Sequence, residues 1–291
     1  MRRVRTPAAG FTLLELVVVM AVTAIVAVFM VFFLAAPVES YFAQTRRADL
    51  VDSADRILRN VAADVRSALP NSLRQSAAGG VVALELLATS GVARYYGAGD
   101  KQYLGGAQQL AEELAIGAPD QSFYTLGLFT PGSAGSYLAI DNRTPPLAYT
   151  GGAGVMTPPL TVFQINAVGA TGEDRVQFPA APGMNFASAS PTHSVFVVSS
   201  PVSYLCDTNA QTLKRYTGYT PAAAQPTSSA QLVAAGATAS LIAQNVSACS
   251  VTLIPAPVSG KFNQLVVLDV TLANSGEVLQ VFHQAATEYL P

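Results

Sequence analysis

From its N-terminus the chain opens with a basic polar stretch, runs through one apolar block, and then changes its hydrophobic period twice. Residues 1–10 carry Arg2, Arg3 and Arg5 and no acid. After Phe11-Thr12-Leu13-Leu14-Glu15, the segment 16–36 is apolar except for Thr23. Its 21 residues approach the ~20 a helix needs to cross the hydrocarbon core of a bilayer, and a helix satisfies its own backbone there. Over 41–69, apolar residues recur at Val51, Ala54, Leu58, Val61, Val65 and Ala68. These alternating steps of three and four predict an amphipathic helix. Asp52–Arg56 and Asp55–Arg59 set acid before base at i,i+4, the favourable order. Pro37 is expected to kink or interrupt the helix and Pro70 to end it.

From Ser76 onward the apolar runs shorten to strand length between Gly, Pro and Ser clusters. Predicted strands are 81–87, 123–129, 136–140, 160–165, 194–198, 251–254, 265–272 and 277–283. Ala273-Asn274-Ser275-Gly276 marks a hairpin between the last two. A short helix is expected within 231–248. Gly79-Gly80, 97–99, 151–154 and 217–229 read as loops. No repeat of 20–50 residues stands out.

Three readings compete for the N-terminus. A cleaved secretory signal has an apolar region of about 7–15 residues and a small-residue cleavage site after it. Here the run is longer, and Pro37-Val38-Glu39 follows Ala35-Ala36. A plain signal anchor explains the length, and the arginines would hold the N-terminus in the cytoplasm and export the body. It leaves Glu15 unexplained, because an acid at helix centre costs about 2.5–3.5 kcal/mol on insertion scales and less near the interface. Glu15 is then either functional or simply at headgroup level. The third reading accounts for all of these features. Gly10-Phe11-Thr12-Leu13-Leu14-Glu15-Leu16 resembles the type IV prepilin cleavage motif, in which Gly precedes Phe and Glu is the fifth mature residue.

That resemblance implies a cut between Gly10 and Phe11 by the prepilin peptidase, a membrane aspartyl protease acting on the cytoplasmic side. It also implies N-methylation of Phe11 and retention of the apolar segment. Glu15 would neutralise the N-terminal amine of a neighbouring subunit, since an unpaired charge in a low-dielectric bundle is costly, and so set axial register. Three further pieces are similar to the MshO family of minor pilins of MSHA biogenesis. They are Arg66-Ser67-Ala68-Leu69-Pro70-Asn71-Ser72-Leu73-Arg74, then Val202-Ser203-Tyr204-Leu205-Cys206-Asp207 with Leu213-Lys214-Arg215-Tyr216, and Leu241-Ile242-Ala243-Gln244-Asn245-Val246-Ser247-Ala248-Cys249. PilW-like minor pilins and the larger pseudopilins of type II secretion share the overall plan.

The fold so implied is α+β: a long N-terminal helix, membrane-spanning in its first half, packed on a mostly antiparallel sheet. The implied organisation is a leader at 1–10, a transmembrane and filament-core helix at 11–36, its amphipathic continuation at 37–70 and a β-rich head at 71–291. The implied protein is a minor pilin of an MSHA-type pilus, with a type II secretion pseudopilin or a membrane-anchored periplasmic binding protein or enzyme as alternatives. Implied partners are the prepilin peptidase, the inner-membrane assembly platform, other minor pilins and the major pilin. The implied location is the bacterial inner membrane with the head in the periplasm, then the surface pilus.

Composition narrows the chemistry. The 291 residues are 51% hydrophobic and 12% charged, about half the charge of a typical soluble domain. A net charge of −2 offers no global basic field, so no nucleic-acid partner is expected. Cys206 and Cys249 form no CxxC pair, and His193 and His283 are isolated, so no metal site is expected. In an exported chain the two cysteines would close a disulfide loop of 44 residues; the alternative is two buried thiols. Glu112-Glu113 and Glu173-Asp174 read as solvated turn or helix faces. Asp141-Asn142 has too few oxygen ligands nearby for a Ca²⁺ site. The Gly-rich stretches lack a following Gly-Lys-Ser/Thr, and no G-x-S-x-G elbow occurs. No catalytic residue, enzyme activity or cofactor is expected.

Overall fold

A computed structural model of the chain describes residues 10–104, 107–110, 112–126, 137–143, 145–150, 154–167, 173–254 and 264–287. Arg2, Arg3 and Arg5, Ser136 and Gly151-Gly152-Ala153 lie outside the described residues, as does the 127–129 end of one predicted strand.

The first element is one helix, α1 (Leu13–Arg66), of 54 residues. It continues through Pro37, so of the kink or interruption expected there the interruption does not occur. A proline removes one intrahelical N–H, and strong helical patterns on either side outweigh that loss. The helix ends four residues before Pro70, where Ala68 leaves it to bridge to Ala88. Residues 10–31 are all exposed. From Leu50 onward the helix instead buries a stripe of Leu50, Ala54, Ile57, Val61 and Val65. This stripe is rotated from the predicted one, for Val51 is 55% exposed and Leu58 is partly buried. A period of 3.6 fits Leu50 and Ile57 as well as their neighbours, and packing makes the choice.

The rest of the chain is largely strand: β1 (Arg74–Ala78), β2 (Val81–Tyr95), β3 (Lys101–Leu104), β4 (Ala107–Leu110), β5 (Ser122–Leu126), β6 (Tyr137–Ile140), β7 (Gln164–Ala167), β8 (Glu173–Gln177), β9 (Ser194–Asp207), β10 (Thr212–Thr217), β11 (Thr238–Gln244), β12 (Val246–Ile254), β13 (Leu265–Asn274) and β14 (Glu277–Ala286). Among the described residues two short helices interrupt them, α2 (Pro145–Thr150) and α3 (Ser229–Ala234). A nine-stranded sheet runs in the order β11-β10-β9-β2-β5-β8-β7, with β1 added on β2 and β6 on β9. A second sheet runs β12-β13-β14, and β3 pairs with β4. All these pairings are antiparallel. The fold is α+β, as expected.

Several elements differ from expectation. The helix expected in 231–248 is the single turn-and-a-half of α3. Gly236, at φ 87°, ends it and the chain becomes β11, whose backbone pairs with β10. The strand expected at 160–165 starts instead at Gln164. Pro158 and Pro159 precede a turn there, with Thr161 donating to the Pro158 carbonyl and Leu160 at φ 68°. Glu173 and Asp174 are neither in a turn nor solvated, but lie in β8 at 5% and 3% exposure. The β13–β14 hairpin forms as predicted, and the strands pair up to Asn274 opposite Glu277, which leaves a two-residue loop. Ser275 and Gly276 both have positive φ there, the backbone that matches strand twist.

The chain divides into two compact units, one ending at Asp49 and one beginning at Leu50. Within the second, the Leu50–Val65 stripe shares a core with Leu84 and Leu86 of β2, Val202 and Tyr204 of β9, and Val266, Leu268, Val270 and Leu272 of β13. The helix end thus packs against both sheets. Cys206 on β9 and Cys249 on β12 are joined by a disulfide with Cα atoms 6.4 Å apart. It ties the large sheet to the small one beside the helix.

Candidate functional site

The chain's two informative places are the start of α1 and the point where its end meets the sheets. At the start, Thr12 caps the helix: the Glu15 N–H donates to Thr12 Oγ1 at 3.3 Å and to the Thr12 carbonyl at 3.1 Å. Thr12 and Glu15 stand at the capping-box spacing, three residues apart. Glu15 is in the first turn, where a carboxylate complements the helix dipole. The helix therefore begins just after Phe11, and Gly10 and Phe11 precede it as non-helical, exposed residues. A Cβ at Gly10 would meet nothing within 4 Å, and its φ is not in the left-handed region. The fold makes no demand for glycine there. The Thr12 cap is legible in the sequence as Thr-x-x-Glu but was not singled out above.

The apolar first half holds one further polar group. Thr23 Oγ1 donates to the Val19 carbonyl at 2.8 Å, so its hydroxyl is satisfied within the helix and carries no unmet hydrogen bond into an apolar medium. Among the described residues, Leu13–Val31 is long and apolar enough to cross a membrane.

At the other end, Asp64 is the fixed point. Arg215 grips its carboxylate with two bonds, Nε at 2.6 Å and the terminal nitrogen at 2.9 Å, and the Tyr204 hydroxyl donates to the same group. Burial first, then the Asp64 charge, raises the Tyr204 pKa. Helix, β9 and β10 are thus pinned by a charged fork. A second network lies on β2. Glu85 is wholly buried and accepts from Arg74 at 2.6 Å and from the Tyr219 hydroxyl at 2.8 Å. Arg74 also stacks over the Tyr149 ring at 3.6 Å and donates to the carbonyls of Ala222 and Ala223. Desolvation raises the Glu85 pKa, while the Arg74 bond and charge pull it back. Sequence reading missed this network because Arg74 and Tyr219 meet Glu85 only through the fold.

The remaining candidates are scattered. Glu173 accepts from the Tyr96 hydroxyl at 2.6 Å, and exposed Glu112 pairs with Arg175 at 3.0 Å. Asp141 is held by Arg143 and Ser188, and the Asn142 amide donates to the Pro70 carbonyl. His193 stacks on Tyr95 with ring centroids 5.2 Å apart, and His283 lies on β14. Among the described residues no three His, Cys, Asp or Glu side chains gather as a metal site.

Residues 5–31 match the family model described as the prokaryotic N-terminal methylation motif. This interval contains the Gly10–Phe11 junction, the Thr12 cap, Glu15 and most of the apolar segment, and it supports a type IV pilin-like protein. Compared with curated proteins and with solved structures, the chain matches none.

Proposed function

We propose that the chain is a minor pilin of an MSHA-type pilus, with a structural role in pilus biogenesis and adhesion or motility. Its leader, 1–10, is removed by the prepilin peptidase between Gly10 and Phe11, and Phe11 is then N-methylated. Segment 11–36 is the membrane span and later the filament core, 37–70 continues the stem, and 71–291 is the head. Glu15 neutralises the amine of a neighbouring subunit and sets its register. The partners are the assembly platform, the other minor pilins and the major pilin, and the head faces the periplasm before assembly.

The methylation motif over residues 5–31, lying where the helix starts, supports the pilin or pseudopilin class, and the MSHA-type assignment rests on the sequence resemblance of the three later pieces. Gly10 adds support, because nothing among the described residues needs a glycine there while a protease subsite would. Mass spectrometry of the mature protein tests it. The expected N-terminus is methyl-phenylalanine at position 11, and Gly10→Val leaves the leader attached. A native protein that retains its arginines, or one trimmed beyond Ala36, sinks the reading. Deleting the gene then separates two machines: fewer surface pili fit a minor pilin, whereas a loss of secreted proteins with normal pili assigns the chain to type II secretion.

A further inference from the structure

The two sulfurs of the disulfide differ in what surrounds them. Cys206 stands within the large sheet, opposite Val82 of β2 on one side and Leu213 of β10 on the other, and is 2% exposed. Cys249 stands on β12, which among the described residues has a strand on one side only, and it is partly buried. A groove of about 480 Å³ runs beside it. The walls are residues 77–82 at the turn from β1 to β2, Thr208 just after β9, and Ser247, Ala248 and Cys249 of β12. Cys249 lines this groove and Cys206 does not.

The opening is built into the backbone. Gly79 and Gly80 form the turn between β1 and β2 at φ 60° and 81°, and neither has a side chain to fill the groove. Thr208 holds the Gly80 carbonyl with its N–H at 3.0 Å and its hydroxyl at 2.9 Å, and the Asn209 amide donates to the Gly79 carbonyl at 2.9 Å. One wall is therefore fixed to the end of β9. Five of the described lining residues are alanine or glycine and none is charged, so nothing in the walls repels an anion. The volume falls within the range of small-molecule sites, about 300–1,000 Å³. Exchange at a disulfide depends on which sulfur a thiolate can reach.

We infer that the groove admits a small thiol, which exchanges with the disulfide at Cys249. Its thiolate attacks Cys249 Sγ and forms a new S–S bond there. The bond between Cys249 and Cys206 breaks, and its electron pair leaves on Cys206 Sγ. That sulfur takes up a proton from solvent, matching the one the incoming thiol gave up. A second thiolate attacks the sulfur of the bound thiol, releases the oxidised thiol pair and leaves Cys249 reduced. Two thiols thus supply the two electrons. The tie between the sheets is lost at the first step, while Cys249 carries the adduct. The site does not depend on the pilus reading, so failure of cleavage at Gly10 would leave it standing.

The test treats full-length oxidised protein in detergent micelles with reduced glutathione. Samples taken early in the reaction are quenched with acid, alkylated, digested and read by mass spectrometry. Glutathione is expected on Cys249 and the alkyl group on Cys206, in at least ten-fold excess over the reverse arrangement. In guanidinium, where both sulfurs are open, the preference should fall below three-fold. Ala248→Phe places a ring in the groove wall and should slow native exchange at least five-fold, whereas Ala248→Ser should change it less than two-fold. The site preference in the natural chain decides the matter even if Ala248→Phe misfolds. No reaction of the native chain, an adduct mainly on Cys206, a preference that persists in guanidinium, or equal rates for a folded Ala248→Phe and the natural chain overturns the inference.

Discussion

The two halves of α1 belong to one helix yet live by different rules. In residues 10–31 the described side chains are exposed, among them Leu14 at 75% and Phe29 at 71%. From Leu50 the same helix buries Ile57 and Val65 completely. The first half is apolar on every face, so no single protein surface can bury it; it suits lipid or a bundle of like helices. The second half has one apolar stripe and a charged remainder, which one surface can cover. The number of apolar faces therefore decides whether a stretch of helix belongs to the chain's own core or to a partner's.

The comparison can be broken most strongly at the staple that holds the receiving core together. Reducing Cys206–Cys249, which closes 43 residues of separation, should lower head stability by about 4 kcal/mol on the loop-entropy model. Chemical denaturation in detergent with and without reductant measures it. Ile57→Ala, at a site with 0% exposure, should cost about 3 kcal/mol in the same assay. Asp64→Ala removes the anchor of Arg215 and Tyr204 and should cost about 2 kcal/mol, since bonds to charged groups carry that order of energy.

A smaller effect depends on pH. Burial holds the folded Glu85 carboxyl above its ordinary value, so folding favours its protonated form. That contribution is fully present below about pH 4, the ordinary glutamate range. It is lost as pH rises through the raised value. Stability of the natural chain relative to Glu85→Gln should therefore fall from pH 4 toward neutrality, and a flat difference would refute the assignment. Smallest of all, Val26→Ala in the exposed half, at 48% exposure, should change head stability by less than about 0.5 kcal/mol. A loss as large as that of Ile57→Ala would erase the contrast between the halves.

Glu15 sharpens the comparison from the other side. Glu15→Val should leave head unfolding unchanged while preventing entry into filaments, scored by immunoblot of sheared pili. Normal incorporation would overturn the register role proposed for it.

Local chemistry was legible in advance wherever one segment sufficed. The apolar block, the methylation motif around Gly10–Phe11 and the hairpin signal over 273–276 each follow from residues adjacent in the chain, and so does the helical period shared by Ala54, Val61 and Val65. Reading failed where two segments had to meet. β1, β8, β10 and β11 are short and weakly apolar, and they are strands because a neighbouring strand offers backbone partners. Glu173-Asp174 looks solvated until β5 and Tyr96 cover it.

Sequence alone thus determined the Thr12 cap at which the helix starts, that its first half has no polar side, and the N-terminal methylation motif over residues 5–31. These are properties of consecutive residues, set by hydrophobicity, capping and charge. Tertiary structure alone decided which neighbours form the buried stripe, that Asp64 meets Arg215, that Glu85 is buried against Arg74, and that the disulfide joins two sheets. Those depend on which distant segments pack together, because a buried charge or strand edge gains its partner only when the fold brings it there.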